Sequence, residues 1–187
     1  MRIPLRLLAS SVGLLLLACS GGGGDGGSPT VPPTPVPSAP IGFTPSGTGG
    51  AESLALTEGT GTGRDRLFLT LEGTAVVDLY GIAFDLTFPS NLLNFVGVTE
   101  GAFLSGGGSV DTSVQVAQNP PGTLVVGLSR LGQVAGRSGT GSLLSIEFSR
   151  AQTGQGSFGF VNNQGFDSTG AAIATLQWSG GTVNVPP

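Results

Sequence analysis

The side chains in this sequence that could carry out acid–base chemistry are its carboxylates. Among 187 residues there are eleven acidic residues and seven arginines, but no histidine and no lysine. Histidine-based triads, histidine-ligated zinc, Schiff bases and Walker lysines are therefore excluded. A glycosidase needs two carboxyl groups about 5–9.5 Å apart, and Asp85 and Glu147 share a face only if their strands are neighbours. We predict solvated surface acids and no enzymatic activity.

Metal, cofactor and nucleic-acid chemistry are not expected either. Residues 162–170 are rich in oxygen ligands but lack the D-x-D-x-D-G spacing of a calcium loop, so they are predicted to form a hairpin turn. The glycine clusters at residues 59–63 and 106–108 precede neither a helix nor a lysine, which predicts ordinary loops. The formal net charge is −4, so no basic surface is available for phosphates.

The first 18 residues are predicted to be a secretory signal peptide. Arg2 and Arg6 precede an apolar run of about a dozen residues, which is too short to span a hydrocarbon core of ~30 Å. The sequence Leu16-Leu17-Ala18-Cys19 resembles the bacterial lipobox, in which the signal is cut before the cysteine and its thiol carries diacylglycerol. A coincidental cysteine in an ordinary signal is the alternative. We favour lipidation, because Cys19 is the only cysteine of the chain.

Residues 19–45 are predicted to be a lipidated cysteine followed by a flexible stalk. This segment is rich in glycine and proline and has no apolar periodicity, so it cannot form a core. With the lipid on Cys19, it would hold a domain away from the membrane. The expected location is the cell envelope after secretion across the inner membrane, at the outer membrane or the cell surface.

Residues 46–187 are predicted to form one all-β domain. Short β-branched and phenylalanine-rich runs recur between Gly, Pro, Asn and Asp clusters, which favours a single jelly-roll sandwich of about nine strands. The predicted strands are residues 66–72, 75–88, 93–98, 112–117, 124–129, 143–149, 157–161, 172–178 and 182–185.

Alternation along these strands predicts which side chains enter the core. Tyr80, Ile82, Phe84, Leu86 and Phe88 share the aromatic side of the longest run, with Leu79 and Gly81 on the opposite side. The same parity selects two further sets: Leu124, Val126 and Leu128, and Leu144, Ile146 and Phe148. A sandwich core of Phe, Leu, Ile and Val follows.

The order of these runs and turns resembles the cohesin family, whose members bind dockerins in cellulosomes and on cell surfaces. The resemblance rests on three segments: residues 79–95, residues 98–104 and the predicted strand within residues 139–148. It implies a nine-stranded jelly roll, no catalysis, and a dockerin-like protein partner that binds on the outer side of the long strand. Such a module would be expected in polysaccharide degradation.

The predicted protein-binding face lies on outward positions of three strands. It comprises Ala83, Asp85, Thr87, Val125, Ser129 and Glu147. The resemblance also implies polar partner contacts at two positions that are Gly81 and Ala83 here, which puts cellulosomal dockerin recognition in doubt. The alternative for the face is an ordinary solvated sheet surface.

Two other functions stay open at this point. The same sandwich could bind polysaccharide, in which case Trp178 is the candidate stacking platform; otherwise Trp178 lies at the edge of the core. The protein could also be a structural envelope lipoprotein.

Overall fold

The computed structural model describes residues 39–47, 50–119 and 121–187. The signal peptide, Cys19 and most of the predicted stalk lie outside these residues. The described chain contains one short helix, α1 (Ala102–Ser105), and ten strands. The strands are β1 (Gly42–Pro45), β2 (Ser53–Glu58), β3 (Arg66–Thr87), β4 (Leu93–Glu100), β5 (Thr112–Asn119), β6 (Thr123–Arg130), β7 (Arg137–Arg150), β8 (Gly154–Asp167), β9 (Gln177–Ser179) and β10 (Gly181–Val185).

Strand β3 is 22 residues long and belongs to both layers of a sandwich. Its C-terminal half pairs with β6 on one side and β8 on the other, and β5 pairs with β6. We call the sheet β5-β6-β3-β8, which β10 and β1 continue beyond β8, the front sheet. The N-terminal half of β3 pairs with β2 and β7, and with β4 and β9 these strands form the back sheet. The prediction of an all-β jelly-roll sandwich is confirmed.

The core lies between the two sheets. Phe148 of β7 packs on Phe158 of β8 at 5.2 Å between ring centroids, although these strands do not pair. The alternating sets predicted for β6 and β7 are buried, as are Ile82, Phe84, Leu86 and Phe88 of the longest run. Each large side chain that is fully buried contributes about 1.5–3 kcal/mol to folding.

The predicted parity fails at the bend in β3. Ala75 and Asp78 have positive φ, and the register of β3 with β7 shifts on both sides of Val76. Against β8 the register shifts once more between Leu79 and Gly81, so Tyr80 is the extra residue that separates Leu79 from the alternation that starts at Ile82. Extra residues in the strand reverse which side chains face inward. Leu79, predicted to face outward, is therefore fully buried, whereas Tyr80, predicted to enter the core, is only half-buried.

Three predicted segment boundaries are also wrong. The sequence places the start of the domain at residue 46, but Gly42–Pro45 pairs with β10 and Ile41 is buried. The strand predicted at residues 172–178 is reduced to β9. The hairpin turn predicted at residues 162–170 is mostly strand, because β8 continues to Asp167 through a bulge at Asn162, whose φ is 51°.

Within the described residues no helix is both long and apolar enough to cross a membrane.

Candidate protein-docking face

The outer side of the front sheet is built in rows across four strands. Asp85 pairs with Val125 of β6 and with Val161 of β8, and Val125 pairs with Ala117 of β5. The next row joins Gln164, Ala83, Gly127 and Gln115, and a third joins Phe166, Gly81, Ser129 and Ser113. We call these three rows, with Thr87, the front face. Five of the six residues predicted to bind a partner lie on it: Ala83, Asp85, Thr87, Val125 and Ser129.

The front face is apolar for a sheet surface and nearly free of charge. Val125 and Val161 are 43% and 46% exposed. Asp85 is the only charged residue of the three rows, and its Oδ2 accepts a hydrogen bond of 2.7 Å from Asn162 Nδ2 at the β8 bulge. A flat surface of small, uncharged side chains has a low desolvation cost when another protein covers it.

Two shallow depressions lie side by side on this face. The first has a volume of about 350 Å³ and is lined mainly by apolar atoms around Gly81 and Gly127. The second, of about 340 Å³, lies around Ala83 and Val125 and shares Gln115 and Gly127 with the first. The depressions exist because Gly81, Gly127 and Ala83 leave the centre of the face without large side chains.

Two aromatic residues of the first depression were not predicted as site residues. Tyr80 and Phe166 line it, and the Tyr80 hydroxyl donates to the carbonyl of Gly132 at 2.6 Å. Tyr80 reaches the surface because of the β3 bend, and Phe166 because β8 extends past the predicted turn. Strand alternation gives no local signal for either position.

Glu147, the sixth predicted face residue, lies elsewhere. It belongs to β7 of the back sheet, where it pairs with Phe68 and forms an ion pair with Arg66. Asp85 lies on the front sheet, in the other half of β3. The prediction that Glu147 contributes to the same face is therefore wrong, and Asp85 and Glu147 do not form a carboxylate pair.

Trp178 packs at the edge of the core. Its ring lies 5.5 Å from that of Phe84 and 5.1 Å from that of Phe160, measured between centroids. Both partners belong to the front sheet, whereas β9 belongs to the back sheet. Aromatic pairs at these distances stabilise a fold through offset and edge contacts, so Trp178 joins the two layers, as its core interpretation predicts.

Three acids have pKa values that their surroundings shift. The hydrogen bond from the Ser168 side chain lowers the pKa of Asp78, and that from Thr169 lowers the pKa of Asp167. Burial raises the pKa of Glu72. In the part of the chain that the structure describes, no group of three potential ligand side chains is arranged to hold a metal ion.

Several solved cohesin structures superpose on this chain. A type II cohesin module from the adaptor scaffoldin of Acetivibrio cellulolyticus matches with a TM-score of 0.58 and 13% identity, over 79% of this chain and 90% of that module. The domain has the cohesin fold. A type II cohesin of Bacteroides cellulosolvens matches with a TM-score of 0.57 and 14% identity, over 69% and 95% of the two chains. The predicted cohesin architecture is thus confirmed.

A third match comes from a type II cohesin–X-dockerin complex of Acetivibrio cellulolyticus. It has a TM-score of 0.55 and 13% identity, and it covers 70% of this chain and 96% of that chain. No family model and no curated protein matches the sequence. The cohesin likeness therefore establishes the fold, while the choice of partner depends on the residues of this chain.

Proposed function

We propose that this protein is a non-catalytic docking module whose front face binds a protein partner of the dockerin type. The observation that carries the proposal is the pair of adjacent apolar depressions on a face with a single charged residue. Protein interfaces concentrate their binding energy where protruding side chains fill such depressions. Cohesins of the same fold occur in complexes with dockerins, which supports the same class of partner here.

The chemistry of the face defines the expected partner surface. Gly81, Ala83 and Gly127 provide no polar side chain, so we expect apolar contacts at the centre, with Ser113, Gln115 and Ser129 available for hydrogen bonds in the first depression. Asp85 can attract one cation of the partner at the side of the face. We therefore expect a partner with two apolar side chains and a nearby Lys or Arg, and a recognition that differs from one based on polar contacts at residues 81 and 83.

A pull-down from secreted proteins of the source bacterium tests this function, with captured proteins identified by mass spectrometry. Ala83→Arg places a long charged side chain in the second depression and is expected to abolish capture. Thr99→Arg is the matched control, because Thr99 is exposed on β4 of the back sheet. Equal capture by the wild type and Ala83→Arg would refute the front face as the binding surface.

We also propose that the protein is anchored by a lipid at the cell surface. Residues 1–18 are removed, Cys19 is lipidated, and the stalk holds the domain at the cell surface, where docking would assemble proteins for polysaccharide degradation. Mass spectrometry of the mature N-terminus tests this arrangement. A diacylglyceryl cysteine at residue 19 is expected, and a soluble wild-type protein that starts at another residue would contradict it.

Carbohydrate binding is a second candidate, and the aromatic lining of the first depression by Tyr80 and Phe166 favours it. The predominantly apolar lining fits an aliphatic or aromatic side chain better than a sugar, whose hydroxyl groups need polar partners. Affinity electrophoresis on a panel of plant and bacterial polysaccharides, with wild type and Tyr80→Ala, distinguishes the two. Retardation that Tyr80→Ala removes would establish glycan binding.

A further inference from the structure

The edge of the front sheet formed by β5 is unusually open. Among the described strands, β5 pairs only with β6, over eight consecutive residue pairs without a bulge. Thr112–Asn119 contains no charged residue and no proline. Proteins normally protect long edges with charges, prolines, bulges or covering segments.

The other edges of this domain show that protection. Strand β4 has a bulge between Phe95 and Gly97 and ends in Glu100. Strand β1 has four residues and ends in Pro45, and β9 has three residues. In the part of the chain that the structure describes, the β5 edge is the long and regular one, and its own residues carry no charge. The carboxylate of Glu100 lies at its N-terminal end, where it accepts a hydrogen bond of 2.6 Å from Thr112 Oγ1. The rest of the edge is suited to accept another strand.

The hydrogen-bond phase of β5 shows which backbone groups are free. Leu131 N donates to Asp111 O at 2.8 Å, so Asp111 and Leu131 form a hydrogen-bonded pair. Pairs alternate along an antiparallel ladder, so residues 113, 115, 117 and 119 bond to β6. The N–H and C=O groups of residues 112, 114, 116 and 118 point to the free edge.

We propose that β5 pairs with β5 of a second copy of this chain, in an antiparallel arrangement about a two-fold axis at Gln115. The four outward residues form a set that is symmetric about Gln115. In this register Thr112 faces Gln118 of the copy and Val114 faces Val116, so all four residues pair and about eight backbone hydrogen bonds form. An interface that uses one surface twice needs such self-complementarity.

Charge and sequence support this occupant. Two copies of a chain with net charge −4 repel each other in general, but this edge brings no like charges together. Antiparallel pairing places the two copies of Asp111, and the two copies of Glu100 beside Thr112, at opposite ends of the interface. Pro120 and Pro121, which follow β5 in the sequence, cannot donate backbone hydrogen bonds and limit the pairing to the eight residues.

The pairing would join the two front sheets into one continuous sheet. The two front faces would then lie side by side and point in the same direction, because the strand alternation continues across the axis. A dimer of this kind presents two docking faces to partners. The pairing itself does not depend on the docking function, since it uses the edge of the sheet and leaves the face free.

Single cysteines test the register directly. In the full chain with Cys19→Ser, Gln115→Cys places two thiols on residues whose Cα atoms are about 4.5 Å apart, within disulfide range. With Ser113→Cys alone, or Ala117→Cys alone, the two identical thiols of the dimer are about 14 Å apart. Residue 113 of one copy, however, lies directly opposite residue 117 of the other. After oxidation we expect a covalent dimer on non-reducing gels for Gln115→Cys, none for either control, and a dimer again for the double variant Ser113→Cys/Ala117→Cys.

A non-covalent measurement completes the test. Sedimentation equilibrium of the Cys19→Ser chain is expected to give twice the chain mass, and Val116→Pro and Gln115→Lys are expected to give monomers. The Val116 N–H points away from β6, so Val116→Pro keeps the hydrogen bonds between β5 and β6, and an unchanged thermal midpoint verifies that this variant folds. Gln115→Lys places two like charges at the two-fold axis and leaves the backbone unchanged. A monomeric Cys19→Ser chain, or equal cross-linking by all three single cysteines, would overturn the proposal.

Discussion

Asp78 binds Ser168 at the corner where the long strand bends. Ser168 Oγ donates to Asp78 Oδ2 at 2.7 Å, and Gly136 N donates to Asp78 Oδ1 at 2.9 Å. Asp78 has a φ of 51°, which costs a non-glycine residue about 1 kcal/mol or more. One carboxylate thus connects the bend of β3, the loop before β7 and the end of β8, and these bonds offset the cost of the backbone conformation.

This carboxylate should make stability depend on acid pH. Its hydrogen bond with Ser168 lowers the pKa of Asp78 in the folded state, so its contribution is present above the unfolded-state pKa of about 3.9 and is lost as pH falls through the lower folded pKa. As the pH is lowered from about 5 to about 2.5, the thermal midpoint of Asp78→Asn should therefore fall less than that of the wild type. Asp111→Asn, at an exposed position, is the control that should retain the wild-type profile. Identical profiles for wild type and Asp78→Asn would contradict this role.

Filling the first depression should block docking without harming the fold. A Cβ on Gly127 would meet only Gln115 Cβ, at 4.0 Å, so Gly127→Leu fits the backbone and occupies the depression. We expect partner capture to fall at least tenfold, while the free energy of unfolding measured by urea denaturation changes by no more than a surface substitution does, about ±0.5 kcal/mol. Gly97→Leu is the matched control, because a Cβ there has open space on the back sheet. If Gly127→Leu and Gly97→Leu both still capture the partner, the first depression does not bind a partner side chain.

Removing Glu147 should affect neither docking nor folding appreciably. The Arg66–Glu147 pair is solvent-accessible, with side-chain exposures of 58% and 23%, and such pairs contribute about 0–1 kcal/mol. Glu147→Ala should therefore capture the same partner as the wild type and unfold at nearly the same urea concentration. Loss of capture would mean that the partner also contacts the back sheet.

Replacing Trp178 should destabilise the fold rather than abolish a sugar site. Because Trp178 packs on Phe84 and Phe160, Trp178→Ala should lower the free energy of unfolding by about 3 kcal/mol, measured by urea denaturation. Retardation on polysaccharides should be the same as for the wild type. A stability change below about 0.5 kcal/mol together with lost retardation would restore Trp178 as a stacking platform.

Truncating Leu79 should identify it as a core residue. Leu79 is fully buried, so Leu79→Ala should cost about 2–5 kcal/mol. Ala83→Ser, at an exposed position four residues further along the same strand, should cost almost nothing. Comparable stabilities for the two variants would mean that the strand keeps its simple alternation through the bend.

Local sequence patterns were sufficient to identify the buried side chains where a strand runs without a bulge. In β6 and β7 the alternation of Leu, Ile, Val and Phe identified the buried side chains, because the period of two is a property of the strand itself. The same holds for β3 from Ile82 onward. Positions next to a bulge were missed, since one extra residue reverses the alternation and depends on the partner strand.

The amino-acid sequence by itself determined the chemistry that is absent and the class of the fold. Without histidine no Ser–His–Asp triad can form, and short alternating apolar runs between glycine-rich turns favour an all-β sandwich or jelly roll. The tertiary structure decided which outward residues meet. It placed Asp85 beside Val125 and Gly127, moved Glu147 to the other sheet and brought Tyr80 and Phe166 to one depression, because strand pairing and bulges arise from contacts between residues far apart in the chain.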